Sequence, residues 1–247
     1  MRILMLTPYL PWPLNSGGQI RTYNLLKNLA HKHEISLFSF IRDDEERKYI
    51  GKLRPYCRKI ILFKRTQSPW AIRNILLAGL TAYPFLVCIY LSKAAKDALK
   101  QELDHEKYDI IHAETFYVMP NIPATEIPTL LVEQTIEYLG YQTYTAQTAM
   151  PFLKPLLYID VIKLKFWEKL FWKKADHLVT MSAEDRDWIK RMVPQAQVST
   201  VANGIDVEYF KDTPVKRPKS PTVLFVGNYK WLPNVDAAKY IAYEIWP

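Results

Sequence analysis

The chain has 247 residues, 49% of them hydrophobic and 23% charged, which is enough apolar material for a sizeable core and not the composition of a disordered chain. Lysine and arginine outnumber aspartate and glutamate 33 to 25, and the net charge of +8 favours an anionic partner, whether nucleotide phosphates or lipid headgroups. With no zinc spacing, no aromatic RNA platform and no basic tail, nucleic acid is not an expected partner.

The first apolar run, MRILMLTPYLPWP, is interrupted by Pro8, Pro11 and Pro13 and lacks a small-residue cleavage site, so it reads as a strand and loop rather than a signal peptide. Strands are predicted over 2–7, 34–41, 59–64, 109–113, 129–133, 177–181 and 198–202. Helical spacing marks 19–31, 43–53, 70–80, 85–103, 156–175 and 183–193, and a further helix is expected after Thr135. Strands that alternate with helices, several of them apolar throughout, predict an α/β fold with a doubly wound parallel sheet covered on both faces. The most lipid-like stretch, 75–91, is shorter than the ~20 residues a spanning helix needs and contains Gly79 and Pro84. It reads as two packed helices meeting near Tyr83-Pro84. Cys57 and Cys88 lie in apolar surroundings and suit reduced thiols in a cytosolic setting.

After residue 202 the organisation changes. NGIDVEYFKDTPVKRPKSPT reads as a linker, with Asn203-Gly204 as a hinge turn. TVLFVGNYKWLPNVDAAKYIAYEIWP then starts a second domain: apolar strand, Gly227 turn, amphipathic helix. The expected division is 1–202, an N-terminal domain; 203–221, linker and hinge; and 222–247, the incomplete start of a second domain.

Four constellations carry polar chemistry toward the carboxyl ends of the strands, where open α/β sheets bind ligands. In LNSGGQIRTYN, Gly17 and Gly18 stand where the first strand hands over to the first helix. Backbone amides there can approach a phosphate or diphosphate, helped by the helix N-terminus; a tight turn needing positive φ is the plainer reading. In YDIIHAETFYVMP, His112 and Glu114 sit two apart at a strand end and point the same way. Together they could position an acceptor hydroxyl or take its proton, or be a hydrogen-bonded strand end and a solvated carboxylate. In LLVEQTIEYLGYQTY, Glu133 ends a strand, and Gln134 and Thr135 are expected to cap the next helix. Finally, 151–175 carries six lysines against Asp160 and Glu168, interleaved with Phe166, Trp167, Phe171 and Trp172. Such a helix either packs its aromatics on the sheet or lies on an anionic membrane surface.

The order of these features resembles a known family: strand, Pro-rich loop, Gly-Gly and helix; D-x-x-H at a strand end; ADHLVTMSAEDRDWI; VANGIDVEYF; and a strand ending in VG. It is similar to the N-terminal acceptor-side domain and hinge of family 4 retaining glycosyltransferases, whose GT-B fold is two facing Rossmann-like domains. The resemblance implies that Gly17 and Gly18, with Asn15, Ser16 and Gln19, face the diphosphate of a nucleotide-sugar. VGNYKWLPNVDAAKYI would open the donor-binding domain, so Gly227 and Asn228 fall on the opposite wall of the cleft. Glu114 stands where many members carry a second histidine, which moves the expected catalytic role toward Glu114 with His112 in support. Glu133 and Gln134 are assigned to the acceptor side. The turn after Gly227 carries Asn228, Tyr229 and Lys230 in place of the usual Arg and Lys spacing, and the family's paired-glutamate donor motif is absent.

The function so implied is transfer of a sugar from a nucleotide-sugar to a glycan or lipid-linked acceptor with retention, in surface polysaccharide or glycolipid synthesis. Neither metal nor cofactor is expected, and the protein would be cytoplasmic and peripheral on the inner face of a membrane. The chain by itself is expected to be inactive. The alternative is a non-catalytic, membrane-recruiting half of a split transferase.

Overall fold

The computed structural model describes residues 1–148, 150–205, 207–211, 220–227, 229 and 232–246. Seven strands form one sheet in the order β3-β2-β1-β4-β5-β6-β7, and every neighbouring pair is parallel. They are β1 (Arg2–Thr7), β2 (Glu34–Ile41), β3 (Lys59–Lys64), β4 (Ile110–Glu114), β5 (Thr129–Glu133), β6 (His177–Thr180) and β7 (Val198–Thr200). The helices are α1 (Gly17–Leu29), α2 (Ile50–Leu53), α3 (Ile72–Leu80), α4 (Phe85–Tyr90), α5 (Lys93–His105), α6 (Glu137–Gln147), α7 (Lys154–Lys174), α8 (Ala183–Met192), α9 (Val207–Lys211) and α10 (Leu232–Tyr240).

Successive side chains on a strand point to opposite faces, and the core divides accordingly. Ile3, Met5, Ile35 and Leu37 pack with Leu26 of α1 and Leu53 of α2 on one face. Leu4, Leu6, Phe38, Phe40, Ile111 and Leu131 pack on the other face with residues of α4, α5, α7 and α8, including Trp172. Helices on both faces of a parallel sheet make the doubly wound α/β fold that the strand–helix alternation predicts.

The boundaries differ where side chains compete for the backbone. The helix expected over 85–103 is two helices, because Asn121 takes over the junction. Its Oδ1 accepts from Ser92 N at 2.9 Å and its Nδ2 donates to Tyr90 O at 3.0 Å. Ser92 Oγ then caps α5 by accepting from Ala95 N. The pattern over 43–53 is mostly 3-10 helix, opened by a reciprocal capping box between Asp43 and Glu46. The stretch 75–91 is indeed two helices, α3 and α4, with Pro84 as the α4 cap. Among the described residues, no helix is long and apolar enough to cross a membrane.

The linker sequence contains the short α9, and its residues 206 and 212–219 lie outside the described ones. The strand expected at the start of the second unit is irregular, with Val223, Leu224 and Val226 exposed. A strand is stable only when a neighbour pairs its backbone, and none of the described strands does so here. The helix expected to follow is present as α10.

Candidate active site

Crossovers from β1 run toward β2 and β3 and those from β4 toward β5, β6 and β7, so the order reverses between β1 and β4. The crevice at the carboxyl ends of those two strands is the switch point at which such sheets bind ligands. Glu114 ends β4, Glu133 ends β5, and the loop after β1 leads into α1. Sequence reasoning placed these groups on one edge, and the fold brings them there.

Gly17 and Gly18 are the first two residues of α1. Ser16 is the N-cap and its Oγ accepts from Gln19 N at 3.3 Å, while Gln19 Nε2 donates to Leu10 O at 3.0 Å and pins the loop. Two of the residues assigned to the diphosphate loop therefore build it. No described glycine has positive φ, so a left-handed turn does not explain the pair. The two glycines differ in surroundings. A Cβ on Gly18 would lie 2.1 Å from Tyr9 Oη and 2.7 Å from Gln134 Oε1, so this position is glycine because two side chains press on it. A Cβ on Gly17 would meet nothing within 4 Å. Its amide starts the helix without an intrahelical acceptor. Asn15 is exposed beside it, its amide donating to Pro13 O.

Tyr9 and Gln134 belong to a buried polar chain. Gln134 Nε2 donates to Tyr9 Oη at 2.8 Å and to Glu114 Oε2 at 2.9 Å, and His112 Nε2 lies 3.0 Å from Glu114 Oε1. Glu114 is 0% exposed. Burial alone would raise its pKa, but the His112 hydrogen bond and charge, the Gln134 bond and the Arg21 charge together hold it below the usual value. It is an ionised anchor. Tyr9 is pushed up to about 12 by burial and by the charge of Glu114, so its phenol stays protonated. Directly after Glu114, Thr115 has φ 74°, an unusual backbone state for a β-branched residue that turns the chain into the 3-10 segment Phe116–Asn121.

Arg21 was not singled out from the sequence. It lies four residues after Gly17, hence on the same side of α1. Its Nη1 donates to Ala202 O at 3.2 Å and to Asn203 Oδ1 at 3.0 Å, while Nε is buried without a partner. One guanidinium thus ties the helix carrying the glycine loop to the expected hinge and sets a positive charge toward Glu114.

Glu133 is buried and accepts from Trp172 Nε1 at 2.9 Å. Burial and the charge of Glu168 push its carboxyl well above the ordinary value. The expectation that Gln134 and Thr135 cap the next helix is corrected. The N-cap of α6 is Ile136, which makes no side-chain bond, and the cap comes from α7: Glu168 accepts from Glu137 N at 2.8 Å and Tyr138 N at 3.1 Å. A carboxyl group reaching across from a neighbouring helix satisfies two orphan amides at once and leaves Gln134 free for Glu114. The spacing of Leu164, Glu168, Phe171 and Trp172 on one face of α7 is the signal that places Glu168 inside.

The lysine-aromatic helix divides its aromatics. Phe171 and Trp172 are core, while Phe166 faces solvent. In the second unit, Asn234 packs close against Gly227, and Asn228 lies outside the described residues. Gly204 has open space around it. Among the described residues, no group of three or more His, Cys, Asp or Glu side chains could hold a metal ion.

The same architecture occurs in solved structures. A UDP-glucosyltransferase from Polygonum tinctorium, capable of glucosylating indoxyl, superposes with a TM-score of 0.52 at 10% identity, over 86% of this chain and 56% of its own. UGT71G1 of Medicago truncatula, complexed with UDP-glucose, superposes with a TM-score of 0.50 at 12% identity, over 84% of this chain and 52% of its own. The chain spans about half the length of these structures, which is one of the two halves of a GT-B fold. No curated protein matches it by sequence. The profile of Glycosyltransferase Family 4 matches residues 15–209, from the glycine loop through the hinge, and the chain belongs to that family.

Proposed function

We propose that the chain forms the acceptor-side half of an enzyme that transfers a sugar from a nucleotide-sugar donor to a glycan or lipid-linked acceptor, with retention, in the synthesis of a surface polysaccharide or glycolipid. The observation that carries the reading is the start of α1 at Gly17, with an unbonded amide and room beside its Cα, set at the β1–β4 switch point of a family 4 glycosyltransferase chain. Amides of a helix N-terminus stabilise the charge that develops on a departing diphosphate. The UDP-glucose held by the Medicago protein is a donor of that class. Residues 1–202 serve as the acceptor-side domain, 203–221 as the hinge, and 222–247 as the beginning of the donor side.

In this reading Glu114 acts through its neighbours. Being fully covered, it fixes His112 and Gln134, and Gln134 in turn holds Tyr9 against Gly18. His112 and Gln134 are the groups that meet the acceptor, with Glu133 on the same side, held by Trp172. An acceptor carried on a lipid requires work at a membrane surface, peripherally, at its cytoplasmic side.

The test is release of nucleoside diphosphate from a panel of UDP-, GDP- and ADP-sugars, with oligosaccharide and polyprenyl-phosphate acceptors, by the full-length protein. Gly17→Val keeps the amide N–H but sets an isopropyl group in the way of the diphosphate, and lowers turnover on the order of 10²-fold, the usual cost of losing one oriented donor, without lowering the Tm. Absence of transfer and of donor hydrolysis with every pair sinks the proposal. Loss of folding in Gly17→Val returns the loop to a structural role.

A further inference from the structure

Where β2 and β3 end, α3, α4 and the start of α5 enclose a cavity of about 230 Å³. Its polar lining is cationic: Lys64, Arg65, Arg73 and Lys93 contribute to it alongside Thr66 and Ser92, and no acidic residue does. Lys64 is matched by Asp44 at 2.6 Å. Among the described residues the other three cations have no ion-pair partner.

Arg65 is the decisive group. It is 8% exposed, its Nη1 donates to Thr66 O at 3.1 Å, and its guanidinium lies over the Tyr90 ring at 5.3 Å. A guanidinium carries five donors and stays charged in proteins, so most of its donors are left over here. Burying such a charge without an anion is costly, and proteins avoid it unless something pairs with it. Burial, the largest influence, and nearby Arg42 act against the charged form, while Tyr90, Glu46 and Tyr117 act for it without forming an ion pair. Around Arg65 the other groups are already placed. Arg73 Nη2 is held by Leu91 O at 3.1 Å, which fixes its side chain between α3 and α4. Lys93 opens α5, whose first turn contains no acidic residue and whose N-cap Ser92 caps with its own side chain. The free amides of that turn add to the same positive field.

We propose that this cavity binds a phosphate group, with Arg65 as its buried anchor and Arg73 and Lys93 closing on it from α3 and α5. A soluble phosphate ester and a phospholipid headgroup share this chemistry. The second source is relevant because α3 turns Ile72, Ile75, Leu76 and Leu80 to solvent next to Arg73. The site is distinct from the glycine loop, standing two strands away from β1, roughly 10 Å at the usual strand spacing. It does not depend on the transfer reading.

The experiment titrates the purified chain with inorganic phosphate by calorimetry, and separately sediments it with phosphatidylcholine vesicles containing or lacking phosphatidylglycerol. The variants are Arg65→Gln, the exposed pair Arg73→Gln with Lys93→Gln, which leaves the core untouched, and Gly17→Val as a control for the other loop. Expected is phosphate binding that persists in Gly17→Val, which affects only the glycine loop, and that the exposed double variant weakens about tenfold or more through the loss of two charge-assisted partners. Vesicle binding that needs phosphatidylglycerol and falls with the same double variant assigns the site to a lipid headgroup. Phosphate binding without vesicle binding assigns it to a soluble ester. The inference is overturned by absence of both, by binding that the double variant leaves unchanged, or by binding that only Gly17→Val removes.

Discussion

The two adjacent glycines give opposite responses to the same added methyl group. In Gly18→Ala the new Cβ falls 2.1 Å from Tyr9 Oη, 2.7 Å from Gln134 Oε1 and 2.9 Å from Tyr9 Cζ, so the Tyr9 ring must move. Overpacking of this kind costs roughly 1–3 kcal/mol. Moving Tyr9 also breaks its 2.8 Å bond from Gln134, worth about 0.5–1.5 kcal/mol. Replacing glycine by alanine in a helix returns up to ~1 kcal/mol. The net loss is about 1–3 kcal/mol, which for a chain of this size lowers the Tm by roughly 3–10 °C. Gly17→Ala meets nothing within 4 Å and is neutral or slightly stabilising, by up to ~1 kcal/mol.

Thermal denaturation followed by circular dichroism measures both variants under identical buffer. A third, Tyr9→Phe with Gly18→Ala, removes the atom in closest conflict. The double variant recovers part of the loss, so the cycle is non-additive by on the order of 1 kcal/mol. Equal destabilisation by Gly17→Ala and Gly18→Ala, or strict additivity with Tyr9→Phe, refutes the assignment of Gly18 to packing and Gly17 to open space.

Glu168 stands at about 8 and Glu137 at about 7, both raised chiefly by burial from an ordinary 4.5. A carboxyl with a raised folded value stabilises the fold fully below its unfolded value and gives that up as pH rises through the folded one. The Tm should therefore fall from about pH 5 to about pH 9, and Glu168→Gln should flatten the fall; a pH-independent wild-type Tm contradicts the buried cluster. Arg21→Met removes both bonds to 202–203, each worth about 0.5–1.5 kcal/mol, and should speed amide exchange at Asn203 and Gly204 several-fold, as read by mass spectrometry. Unchanged exchange there means that Arg21 does not hold the hinge.

Strand positions were legible because each is an apolar run bounded by polar or turn residues, and parallel burial leaves that signature on the chain itself. The break between α4 and α5 was not. Leu91-Ser92 looks helical locally, and the group that interrupts it, Asn121, arrives from nearly thirty residues away. The same holds for the site. Gly17, Gly18, His112, Glu114 and Gln134 were visible as strand-end residues on one edge. That Gln134 reaches Glu114 rather than capping α6 depends on Glu168 of α7, a long-range contact that no local pattern contains. Arg65 was overlooked for a related reason: a single arginine after a strand reads as solvated until its burial is known.

The helix starts along this edge differ in what fills them, and the β2 exit is like the β5 and β6 side: Asp43 caps a 3-10 helix that carries Asp44, Glu45 and Glu46 in its first turn. On the β5 and β6 side, the protein supplies its own carboxyl groups. The start of α6 is filled by Glu168 and carries Glu137, and α8 carries Glu184 and Asp185 in its first turn with Ser182 as cap. On the β1 and β3 side, α1 and α5 have serine caps and no acidic residue in the first turn. A carboxylate at a helix N-terminus is stabilising by about 0.3–1 kcal/mol, so α1 and α5 forgo stability that α8 takes. The omission coincides with the room beside the Gly17 Cα and with a cavity whose buried Arg65 has no counter-ion. The glycine loop and the Arg65 cavity are thus the two places on this edge where an anion from outside would complete the electrostatics. This is why the experiments on Gly17 and on Arg73 with Lys93 are run as each other's controls.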